Sequence, residues 1–126
     1  MISTLSLVAL GGACGAMLRY LFGVAAVRLF GLTAFPLGII GVNILGSFLM
    51  GAFVVLAAQK GLTHLAPLVS IGFLGGFTTF SSFSLETVTL IERGEIGYAA
   101  AYVLLSVGVS VLALALGMWA LRGALA

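Results

Sequence analysis

The chain has 126 residues, of which 63% are hydrophobic and only 6% charged, against about 45–50% and about 25% in ordinary soluble domains. Its mean hydropathy of +1.36 leaves more apolar surface than a domain of this size can turn inward, which excludes a soluble globule and makes lipid its natural solvent. Five basic and three acidic residues give a net charge of +2, too sparse for the basic patch of a nucleic-acid binder, and the one cysteine, Cys14, lacks companions for a disulfide or a zinc site.

A membrane span needs about 20 apolar residues, and four segments qualify. The first apolar run continues past Arg19 and predicts a helix over about 3–28. With no basic residue ahead of Arg19, it is read as a helix of the mature protein and not as a cleaved signal peptide. Its Gly11 and Gly15 form a GxxxG spacing, the pattern that lets membrane helices approach closely. Gly31 to Pro36 punctuates the chain before a second, uncharged helix over about 37–58. Asn43 stands alone in the middle of that helix with Ser47 one turn on; a lone amide in lipid needs a partner, ordinarily another helix. Gln59 to Pro67 leads to a third helix over about 67–91, and the tight connection Glu92 to Gly97 to a fourth over about 96–121. Residues 1–126 therefore read as one all-α domain of four transmembrane helices in a multi-pass cell-membrane protein.

With four spans, the N-terminus, the second loop and the C-terminus share one side, carrying Lys60 and Arg122, while the other side carries Arg28 and Arg93. Basic residues in short loops bias insertion, and here they balance. This predicts dual topology, in which the same chain inserts both ways, with an antiparallel homodimer as the natural assembly.

Chemistry concentrates in the third span. Residues 72–86 read Gly-Phe-Leu-Gly-Gly-Phe-Thr-Thr-Phe-Ser-Ser-Phe-Ser-Leu-Glu. Paired glycines followed by Thr78, Thr79, Ser81, Ser82 and Ser84 make a poor regular helix. Either the helix breaks near Gly75 to Thr79, and its freed carbonyls can hold a cation, or it continues with its hydroxyls bonded back to their own carbonyls. Spacing alone does not choose between these. Phe80 and Phe83, three apart, share a helical face. In the fourth span Tyr102, Ser106 and Ser110 recur every four residues as a polar stripe. Hydroxyls, one amide and the partly positive edges of aromatic rings, with few formal charges, suit a small anion. Neutral donors in series satisfy such an ion without trapping it. Arg19 and Glu86, taken to lie toward span ends, are expected to snorkel to the interface, with Arg19 otherwise able to attract anions at a vestibule.

These residues resemble the Fluc (CrcB) fluoride ion channels. The resemblance is carried by the run from Gly72 to Glu86, by Gly15-Ala-Met-Leu-Arg19-Tyr, by Gly41-Val-Asn43-Ile-Leu-Gly46 and by Glu92-Arg-Gly94. It extends over essentially the whole chain, although Gly38-Ile39-Ile40-Gly41 is apolar where some members carry threonines. It implies a dual-topology antiparallel homodimer with a third helix broken in mid-membrane, two fluoride pores and one structural Na+ at the interface. By position, the sodium carbonyls fall on Gly75 and Thr78 and the pore phenylalanines on Phe80 and Phe83. The pore asparagine falls on Asn43, the polar track on Tyr102, Ser106 and Ser110, and the vestibule arginine on Arg19.

The function so implied is passive export of fluoride. The competing reading is a small multidrug-type proton-coupled antiporter, which also has four spans but needs a titratable carboxylate in the membrane, usually in the first, where this chain has none. His64 has no nucleophile or ligand partner at useful spacing, so no enzyme is expected.

Overall fold

A computed structural model describes every residue except residue 34, which belongs to the first connection and lies outside the described residues. Among the described residues the chain is helical, with four helices long and apolar enough to cross a membrane. The first is α1 (Ile2–Phe30) and the second α2 (Leu37–Lys60). Gly61, at φ 67, ends α2 in a left-handed cap that a side chain would strain. After a short 3-10 turn at Thr63–Leu65, the third crossing comes in pieces: a π-helical stretch Pro67–Leu74, α3 (Gly75–Phe77) and α4 (Phe80–Glu92). The fourth is α5 (Ile96–Leu125).

The helices meet through small residues. A Cβ on Gly11 would meet the Leu68 carbonyl, one on Gly15 the Phe73 carbonyl, and one on Gly76 the Gly12 oxygen at 2.6 Å. This seam brings α1 against the first half of the third span, backbone to backbone, which is what lipid-solvated helices need when no hydrophobic force draws them together. A second seam joins α2 to α5, where a Cβ on Gly51 would meet the Leu114 carbonyl and one on Gly117 the Phe48 carbonyl.

Of the two alternatives for the third span, the structure shows the interruption, at the threonine end of the range Gly75 to Thr79. Gly75 is helical at φ −63, ψ −37, and Gly76 lies inside α3. The backbone becomes extended at Thr78 (φ −85, ψ 157) and Thr79 (φ −150, ψ 122). The glycines serve something else: Gly76 makes room for α1, whereas a Cβ on Gly75 would meet only Ser70 O at an ordinary 3.5 Å.

Candidate functional site

Extended backbone at membrane depth needs other partners for its polar groups, and side chains from two neighbouring helices supply them. Asn43 of α2 grips Thr79 on both sides: its Oδ1 accepts from Thr79 N at 2.8 Å and its Nδ2 donates to Thr79 O at 2.9 Å. Arg19 of α1 donates from Nε to Gly76 O at 3.0 Å. Thr79 then caps α4, its Oγ1 accepting from Ser82 N at 3.2 Å. Arg19 therefore has a main-chain partner on the third span and also borders the cavity beside the first connection. It sits close to the midpoint of α1, and the carbonyl freed by the interruption offers its guanidinium a partner at that depth. Three carbonyls are left over. Extended geometry at residues 78 and 79 carries the following N–H groups away, and among the described residues no main-chain donor reaches the oxygens of Gly75, Phe77 or Thr78.

The hydroxyls divide into two sets. Thr78, Ser84, Thr87 and Thr89 each donate to the carbonyl four residues back, at 2.8, 3.1, 2.8 and 2.8 Å, the local bond that Ser and Thr make by default inside helices. Among the described residues the buried oxygens of Tyr102, Ser106 and Ser110 have no hydrogen-bond partner. Buried and unpaired, each costs on the order of 1–3 kcal/mol, so their presence calls for a ligand.

These uncommitted groups converge. A cavity of about 340 Å³ lies between α2, the interruption, α4 and α5, lined among others by Asn43, Ser47, Thr78, Thr79, Phe80, Phe83, Ser106 and Ser110. Gly46 helps make the space, since a Cβ there would run into the Thr78 methyl. Phe83 is buried and packs on Tyr102 with ring centroids 5.2 Å apart; Phe80 touches Phe83 at 5.5 Å. The two rings line one cavity but differ in burial, Phe80 being 77% exposed and Phe83 only 9%. Tyr102, fully buried, stands in the adjoining cluster under Phe35, at 5.5 Å. A second cavity of about 280 Å³ is lined by Arg19 and Glu86 together with the first connection.

Sequence reasoning left three features unseen. The Arg19 bond and the close approach of Gly76 depend on which helices are neighbours, which no spacing within one helix reveals. Ser47 lines the cavity, and its signal was its position one turn from Asn43. No group of three or more His, Cys, Asp or Glu gathers among the described residues.

Residues 6–118 match the family model described as CrcB-like protein, Camphor Resistance (CrcB). The chain is 66% identical over 125 residues to the protein of Ruegeria sp. (strain TM1040) named "Fluoride-specific ion channel FluC", covering 99% of each chain. It is 62% identical to the protein of that name from Roseobacter denitrificans, covering 95% of this chain and 96% of the relative. For the one from Cereibacter sphaeroides the identity is 60%, with 98% of each covered.

Proposed function

The chain belongs to the CrcB-like family, and on that premise we propose that it is a fluoride-specific ion channel, a multi-pass membrane protein that lets fluoride leave the cell passively. One observation carries the mechanism: the donors left unpaired by the fold, at Ser106 and Ser110, line one cavity. Asn43 adds the second hydrogen of its amide, and Phe80 and Phe83 add ring edges. Fluoride is a compact anion that gives up its water only for close hydrogen bonds. A file of neutral donors provides them while leaving the ion free to move on, as full positive charges would not. Tyr102 extends the file along α5, and Arg19, bordering the second cavity, supplies the positive charge of a vestibule. Hydrofluoric acid enters cells as a neutral weak acid and dissociates inside, so a membrane potential negative inside drives the anion out through an open path. No chemical step is needed, and the channel is no enzyme.

The working unit is an antiparallel homodimer inserted in both orientations. Phe80, Ile71 and Leu85 of the third span are 77%, 62% and 65% exposed, and the interruption lies on the same crossing. A second copy is the cover that irregular backbone at membrane depth requires. The unclaimed carbonyls of Gly75 and Thr78 fit a structural Na+ at that interface: they are hard, neutral oxygens without a carboxylate, a set that suits a monovalent cation better than calcium or magnesium. When bound, the ion would hold two interrupted helices together, and it is not cargo.

The test is efflux from liposomes containing the purified chain, read with a fluoride electrode while a potassium ionophore clamps the voltage. Fluoride leaves and chloride stays. No fluoride release, or equal release of chloride, overturns the reading. In the same preparation, a cysteine at residue 126 in a Cys14→Ala background is labelled from both sides in comparable amounts; labelling from one side alone overturns the antiparallel assembly.

A further inference from the structure

We propose that Ser47 forms, with Ser110, an anion-binding level one helical turn beyond Asn43, so that α2 and α5 present two facing rails of donors instead of a single track on α5. The proposal rests on the channel reading above and adds a binding level to it.

The first support is what Ser47 does not do. Five span hydroxyls return to the carbonyl four residues back, those of Ser6, Thr78, Ser84, Thr87 and Thr89. Ser47 makes no such bond, although the Asn43 carbonyl stands at that position in an unbroken α2. Its hydroxyl is left for the cavity it lines.

The second support is register. As the second and fourth crossings, α2 and α5 run in the same direction, and their backbones touch where Gly51 meets Leu114. One turn back along each, about 5.4 Å, stand Ser47 and Ser110; one further turn back stand Asn43 and Ser106. All four line the same cavity. Both helices therefore carry their donors on successive turns along the one cavity, an amide and a hydroxyl on α2 and two hydroxyls on α5. Past Ser47 and Ser110 the wall is Met50, Val111 and Leu114, so this pair is the last polar level before the cavity turns apolar. A dehydrated anion held at Asn43 and Ser106 would meet hydrocarbon next if Ser110 acted alone on one side.

The experiment compares fluoride efflux for the wild type, Ser47→Ala, Ser110→Ala and the double variant, each checked for dimer by size exclusion and for melting temperature. Hydrogen bonds to an ion are the strong class, so each single change slows efflux about tenfold. The double variant is slower than either single one but by less than the product of the two, because both hydroxyls serve one ion. Dimer and melting temperature stay at wild-type values. Wild-type efflux from Ser47→Ala beside a slowed Ser110→Ala overturns the proposal and leaves the channel reading standing. Slowing that comes only with loss of the dimer or a lower melting temperature also overturns it, since Ser47 is then a helix contact. A wild-type protein that releases no fluoride refutes the channel reading itself.

Discussion

Two regions of the same membrane protein solve opposite problems with similarly small residues. Along the seam of α1 with the first half of the third span, glycines at 11, 15, 72 and 76 remove every side chain that would hold the backbones apart. Across the bundle, between α2, α4 and α5, glycine at 46 and serines at 47, 106 and 110 leave a cavity open, with the hydroxyls of Ser106 and Ser110 unpaired among the described residues. The dry seam supplies the rigidity that lets the other side keep polar groups unsatisfied. The lesson is that in lipid a hydroxyl's role is set less by its presence than by whether its own helix has claimed it.

The comparison breaks most completely at the seam. A side chain at Gly15 would enter the Phe73 carbonyl, with Phe77 N at 2.8 Å. Since both atoms are backbone, the helices themselves must separate. Gly15→Val therefore costs at or above about 3 kcal/mol, the upper end for overpacking, and is expected to yield no stable folded protein by size exclusion in detergent.

On the cavity side the largest change comes from the rings. Phe80→Ile and Phe83→Ile keep the apolarity and remove the ring edges. Efflux falls to background in each while the dimer persists; unchanged efflux in both makes the rings mere core. Asn43→Asp comes next, because it strikes two functions at once. The carboxylate still accepts from Thr79 N but cannot donate to Thr79 O, which leaves that carbonyl facing an anionic oxygen, and it repels fluoride besides. A loss of about 1–3 kcal/mol corresponds to efflux slowed about tenfold to a hundredfold; wild-type efflux takes Asn43 out of the path.

Gly75→Val sharpens the comparison in a narrower way. Within one chain the new side chain has room, and the helical backbone there accepts it. The protomer is expected to keep its helicity by circular dichroism while the sodium-dependent rise in dimer melting temperature disappears. A variant that keeps that sodium response removes the carbonyl of Gly75 from the ion site.

How much of this was legible in the sequence follows from where the information lies. The four crossings were readable because charge is so scarce: apart from Arg19 and Glu86, which fall inside spans, the charged residues mark the ends of the apolar runs. The polar stripe of α5 was readable because its period of four is a property of one helix. The sequence places a possible interruption near Gly75 to Thr79, with an unbroken helix as the alternative; it forms at the threonine end of that range, where Asn43 takes over both backbone bonds of Thr79, while Gly76 stays helical against α1. For Arg19 the sequence leaves a vestibule role and snorkelling open, and only the neighbouring helix shows the carbonyl its Nε serves. The cluster of hydroxyls after Gly76 looked like the site, yet Thr78 and Ser84 bond within their own helices and Thr79 caps one.

That division gives the most direct measurement. Fluoride efflux is compared between variants of the unclaimed hydroxyl, Ser106→Ala, and of the claimed ones, Thr87→Ala and Thr89→Ala, in otherwise identical liposomes. If unpaired donors carry the ion, Ser106→Ala slows efflux about tenfold while Thr87→Ala and Thr89→Ala run at the wild-type rate. Equal rates for all three variants would contradict the account.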